Sequence, residues 1–327
     1  GISGVLLLPV VGGAQWLGAD WAMALRAAAI AAWLFLGLRL LAEALKGIGA
    51  THRGLLVESG VIPLTVLLGL WLVPGEVGSL LWLHVVAGAV ALVGAWGLWL
   101  GAVARLEGAP GGVPRLRAGT MRELGPLWGG TLANVLYVNL PILLLPWFAD
   151  TEEIGLFGVA FRLLNLTTVI LVTLAALFGP RFAAAYAQKD TAALRSALRQ
   201  SQQFSLLLFA PFLLMFLLFP KPLLGLFGPE FTQATPLLWI LAVGQLVNAL
   251  TGLVGYLLNM MHRAQTEFTI LTGTTLAMGV SMLLLGEHIG VLGIAALYSL
   301  GLALKNLLSL AWALRTIRQL ESVNPTK

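Results

Sequence analysis

The 327-residue chain contains no cysteine. Disulfides, thiolate nucleophiles and cysteine metal sites are therefore excluded. Histidine is almost as scarce. His52, His84, His262 and His288 are scattered, with no spacing that would gather them around a metal ion. The sequence also lacks G-x-S-x-G, Walker A and H-E-x-x-H patterns. No catalytic residue, metal site or cofactor site is assigned, and the chain reads as something other than an enzyme. Charge is scarce as well. Only 10% of residues are Asp, Glu, Lys or Arg, against roughly 25% in soluble domains.

What the chain has in abundance is apolar length. Hydrophobic residues make up 59% of it, and continuous runs of about 20 recur from end to end, the length a bilayer-spanning helix needs. Continuous runs rather than short alternating segments point to helices, not a transmembrane barrel. The expected fold is all-α, a polytopic transmembrane helical protein. Spans are expected at about 1–13 (a truncated helix), 22–48, 54–73, 79–103, 121–148, 153–179, 204–219, 234–260, 265–285 and 290–314, each bounded to a few residues. Segment 192–203 should begin the 204–219 helix below the membrane.

The few charges sort by connection. One set of connections carries Lys46 and Arg53, then Arg105, Arg115, Arg117 and Arg122. Further along, the same set carries Arg181, Lys189, Arg195, Arg199, Arg263, Arg315 and Arg318. The alternate set carries Asp20, Glu76, Asp150, Glu152, Glu153, Glu230 and Glu287, against only Arg26 and Lys221. By the positive-inside rule the basic set is cytoplasmic. The net charge of +5 is then a cytoplasmic-face signature, and nucleic acid is not an expected partner.

The chain also repeats itself. "LGADWAMA" at 17–24 resembles "FGPEFTQA" at 227–234, and "THRG" at 51–54 resembles "MHRA" at 261–264, both at an offset of 210 residues. Parallel repeats of this kind build many transporters. They imply two pseudo-symmetric helix bundles, the first one incomplete. Residues 1–103 form the second half of an amino-terminal lobe, 104–120 a Gly/Pro-rich cytoplasmic linker, 121–320 a six-helix lobe and 321–327 a tail. Because nothing upstream pairs with 121–210, roughly 90 residues of the repeat are expected to precede this chain.

Charges inside the spans carry the functional signal, because each costs at least about 2.5–3.5 kcal/mol against lipid. Arg162 stands about 14 Å inside its span at the helical rise, and Lys305 is similarly placed. No acid lies in a neighbouring turn of either residue. Arg39 and Glu43 are one turn apart, with an intrahelical pair as the plain reading. Gln245, Asn248, Gly252, Gly255 and Asn259 form one small, polar stripe. Asn134, Tyr137 and Pro141 share a face, and Asn165 lies beside Arg162. In the 121–320 lobe, Glu123, Glu267 and Glu287 all fall at span ends. Two midmembrane cations without a midmembrane acid favour an anionic cargo over cation coupling.

The stretch "EEIGLFGVAFRLLNL…LFGPRFAAAYAQKD" (152–190) carries Gly155, Phe157, Ala160, Arg162 and Leu163, then Pro180 ending the span and Lys189–Asp190. With "LLGLFGPEFTQATPLLWIL" (223–241), it resembles the polysaccharide flippases of the multidrug/oligosaccharidyl-lipid/polysaccharide exporter superfamily. Phe157 departs from the Tyr more common there. The resemblance implies a multi-pass protein of the bacterial inner membrane that flips polyprenyl-pyrophosphate-linked oligosaccharide by alternating access. Its partners would be that lipid-linked substrate, membrane lipid and polysaccharide-assembly proteins. Arg162, Lys305 and Arg39 (with Glu43 beside it) would then meet the pyrophosphate, and Asn134, Asn165, Gln245 and Asn248 the sugars. The alternatives are a lipid II flippase or a cation-coupled multidrug exporter. A membrane enzyme of polysaccharide assembly is disfavoured by the short external connections.

Overall fold

The computed structural model describes residues 19–48, 50–59, 64, 77–104 and 120–323. The expected first span, most of the span expected at 54–73 and the linker lie outside them. Among the described residues every regular element is helical, and six helical stretches are long and apolar enough to cross a membrane. The protein is an all-α, multi-pass membrane protein.

The chain divides into two compact units, Gly1–Pro114 and Arg115–Lys327. In the first unit, α1 (Ala19–Gly47) packs along α3 (Val77–Val103), and α2 (Thr51–Ser59) folds back on α1. Their shared core is small and apolar, built from Leu38, Ala42, Leu45, Val57, Ala91 and Ala95. Alanine at the contact lets the two long helices approach closely, the usual membrane solution.

The second unit comprises α4 (Thr120–Leu144), α5 (Thr151–Asn165), α6 (Thr168–Ala187), α7 (Thr191–Leu218), the short α8 (Pro220–Gly225), α9 (Thr235–Thr251), α10 (Val254–Met260) and α11 (Ala264–Val323). Local chemistry sets several boundaries. Asp150 caps α5 by accepting from Glu153 N at 2.9 Å, and Glu153 Oε2 accepts from Asp150 N at 3.3 Å, a reciprocal capping box. Asp190 caps α7 in the same manner, accepting from Ala193 N at 2.8 Å. Segment 192–203 is continuous with the apolar part of α7, as expected.

Two expectations are corrected. Pro180 does not end its helix; it lies inside α6, which runs on to Ala187, as membrane helices tolerate when neighbours satisfy the freed carbonyl. The expected 234–260 helix is two, because Gly252 adopts φ +67° and turns the chain between α9 and α10. The spans expected at 265–285 and 290–314, by contrast, are both present, as the two helical arms of α11 that meet at Gly290 (φ 60°, ψ −167°).

Aromatic packing holds α4, α5 and α11 together. Phe157 stacks on Phe161 at 5.4 Å, and Phe161 meets the edge of Tyr298 at 5.1 Å. The Tyr137 hydroxyl donates to the Tyr298 carbonyl at 3.2 Å. Outward, Leu207, Leu218, Leu284 and Leu300 are each at least 65% exposed. So much exposed aliphatic surface has hydrocarbon as its solvent.

Candidate functional site

The polar residues of α9 are brought to the second arm of α11, where they join a continuous chain of hydrogen bonds. Asn248 Nδ2 donates to Gln245 Oε1 at 2.9 Å, and Asn306 Nδ2 donates to Asn248 Oδ1 at 3.0 Å. Lys305 Nζ stands 3.5 Å from Asn306 Oδ1 and 2.8 Å from Glu267 Oε1. Ser309 Oγ closes the chain by donating to Glu267 Oε2 at 2.7 Å. Gln245, Asn306, Glu267 and Ser309 are buried, and Asn248 and Lys305 are half-buried. In a low-dielectric interior an unsatisfied charge or amide is costly, so this chain holds together only because each member finds a partner.

Helix geometry explains how the sequence reaches this arrangement. Gln245 and Asn248 are three residues apart and share a face of α9. Lys305, Asn306 and Ser309 occupy one turn of α11 beyond its bend. Glu267 lies in the first turn of the same element, and folding at Gly290 returns the two arms to each other. The close approach of the arms to α9 and α10 depends on glycine. A Cβ at Gly244 would come within 2.8 Å of the Ser299 Cα, and one at Gly255 within 2.6 Å of Glu267 Oε1.

Lys305, which has no acid in a neighbouring turn of its own helix, finds one across the fold. Its partner is Glu267, 38 positions earlier in the chain, which sequence reading left at a span end. Helix-by-helix counting places each charge along its own axis and is blind to the bend that brings the two arms together. Asn306 and Ser309 were missed with it, although both extend the Gln245–Asn248 pattern onto a second helix.

The remaining candidates are not gathered here. Arg162 is exposed on α5, and among the described residues no carboxylate pairs with it. Asn165 ends α5, half-buried, its carbonyl accepting from Thr168 Oγ1 at 2.7 Å. The face expected from Asn134, Tyr137 and Pro141 splits: Tyr137 and Pro141 are buried, whereas Asn134 is exposed. Arg39 and Glu43 are exposed on α1 of the first unit. Asn259 leaves the stripe and lines a separate cavity of about 390 Å³ with Tyr186, Lys189 and His262. Among the described residues no cluster of His, Asp and Glu could hold a metal ion.

With this geometry in view, the comparisons with known proteins are direct. The MatE family model matches residues 126–280, a segment that contains Gln245, Asn248 and Glu267. A crystal structure of MATE in the bent conformation is similar over 99% of this chain and 76% of its own, with TM-score 0.71 and 16% identity. The fold is that of the MATE transporters. An inward-facing multidrug resistance MATE family transporter of the MOP superfamily matches equally well in fold, with TM-score 0.71, 14% identity, and coverage of 99% of this chain and 78% of that one. A MOP superfamily transporter from Pyrococcus furiosus Vc1 is described as having a binding pocket of reverse polarity that suggests a different function. It matches with TM-score 0.69 and 15% identity, over 98% of this chain and 76% of its own. No curated protein matches the sequence.

Proposed function

We propose that this chain belongs to a multidrug-type exporter that moves amphipathic organic solutes across a bacterial inner membrane by alternating access. The observation that carries the reading is the buried Glu267–Lys305 pair within a chain of amides, inside helices that are otherwise apolar. Ionisable groups at such positions are expensive and mark ligand or ion pathways. The presence of a buried carboxylate removes the reason for preferring an anionic cargo, which was a lobe of cations without acids. Multidrug MATE structures share the fold, which adds support.

The test is transport by the full-length protein in proteoliposomes. Replacing Asn306 and Asn248 together by Leu should reduce movement of a lipophilic dye at least tenfold while the protein remains folded. Unchanged dye movement would remove the polar chain from the mechanism.

One observation favours a second reading, the flipping of a pyrophosphate-linked oligosaccharide. Arg162 offers an exposed guanidinium with no carboxylate partner among the described residues, the chemistry that an anionic lipid head requires. In that case Arg162→Gln would abolish translocation of a polyprenyl-pyrophosphate sugar. The exporter reading expects dye transport to continue in the same variant. Loss of sugar-lipid translocation in Arg162→Gln would select the flippase reading, and dye transport that continues unchanged would select the exporter.

A further inference from the structure

The Glu267–Lys305 pair has features that stability alone does not explain. At the offset of 210 that relates the two halves of the sequence, Glu267 falls on Val57 and Lys305 on Ala95. Both of those are 1% exposed and belong to the apolar core of the first unit. The matching positions of the first unit are thus buried without charge, and a well-packed apolar pair is commonly as stable as a buried ion pair or more so. The charged version also constrains its surroundings, because Gly255 must lack a side chain for Glu267 and Lys305 to fit.

The ammonium meets a carboxylate and an amide oxygen, with a hydroxyl behind the carboxylate, and these are oxygen types that a small cation takes. Lys305 Nζ faces Glu267 Oε1 at 2.8 Å and Asn306 Oδ1 at 3.5 Å, and the Ser309 hydroxyl sits on the far oxygen of the same carboxylate at 2.7 Å. Carboxylate, amide and hydroxyl oxygens are hard donors suited to ions without directional bonding. The side chains are enclosed, with 17% of Lys305 and 11% of Glu267 exposed. No second cationic side chain contacts Glu267 among the described residues.

We propose that Glu267, Asn306 and Ser309 form a monovalent-cation site that the protein fills with its own Lys305 ammonium. The lysine is a tethered counter-ion. With it in place the second unit needs no sodium to neutralise its buried carboxylate. Without it, the same oxygens accept Na⁺. This inference concerns ion occupancy, and it stands whether the cargo is a drug or a lipid-linked sugar.

Thermal unfolding of the purified full-length protein, compared in sodium chloride and choline chloride at equal ionic strength, tests it. The wild type should unfold at the same temperature in both salts. Lys305→Ala should lose stability in choline and recover by several degrees as sodium is raised, because a ligand bound only by the folded state stabilises it by mass action. Lys305→Ala combined with Glu267→Gln should show no sodium response. The proposal is overturned if Lys305→Ala is insensitive to sodium. It is equally overturned if that variant cannot be recovered folded in either salt. A sodium-specific stabilisation of the wild type that disappears in Glu267→Gln would also sink it, since the site would then bind sodium with its lysine present.

Discussion

Gly255 shows how a single position carries the polar site. A Cβ there would lie 2.6 Å from Glu267 Oε1 and 3.3 Å from Lys305 Nζ, so even alanine must push the carboxylate or the ammonium aside. Over-packing of this kind typically costs about 1–3 kcal/mol. Gly255→Ala should therefore lower the unfolding temperature of the detergent-solubilised protein, and the loss should shrink in a Glu267→Ala background, where the obstructing carboxylate is gone. Equal losses in both backgrounds would place the strain elsewhere. Arg162 stands at the opposite extreme, exposed and without a carboxylate among its described surroundings, so its substitution should leave stability almost unchanged. The residue types at both sites could be read from the sequence. Which cation had a partner could not, because the partner of Lys305 is distant along the chain.

At the scale of elements, the discontinuities matter more than the helices. The α9–α10 break is held by Gly252 at φ +67°, ψ −143°, a backbone conformation that glycine adopts freely and that would cost an L-residue about 1–3 kcal/mol. A Cβ there would also sit 3.1 Å from the Gln202 backbone nitrogen. The orphaned Thr251 carbonyl is taken up by Gln202 Nε2 at 3.3 Å, from α7. Gly252→Ala should destabilise the protein by about 1–3 kcal/mol in a thermal melt, whereas Gly273→Ala, which has open space around it, should have little effect. The stripe from Gln245 to Asn259 was visible as small and polar, but its reading as one straight helix failed at this glycine. Periodicity continues through a break of this size, and only the backbone angles reveal that Asn259 has turned away from Asn248. Pro180 gave the opposite error, a breaker by composition that the packed α6 accommodates.

For the whole molecule, the absence of cysteine is an experimental convenience. Single cysteines placed at Lys189 and at Glu152, both exposed, would be the only thiols in the chain. If the basic connections are cytoplasmic, a membrane-impermeant maleimide added outside intact cells should label Glu152→Cys and leave Lys189→Cys unlabelled until the membrane is opened. Labelling of both from outside, or of Lys189→Cys alone, would contradict the orientation. The all-helical membrane architecture was legible from composition and run length, because hydrocarbon imposes one demand on every residue of a span. It forces backbone bonding inside the helix and apolar side chains outside. Those requirements are local, so the sequence by itself determined the helices and their membrane setting. The ion pair, the bends at Gly252 and Gly290 and the joining of α9 to α11 through Asn248 and Asn306 were decided by the tertiary structure. They depend on which charges meet across a folded interior, and contacts between residues dozens of positions apart leave no periodic trace in a sequence.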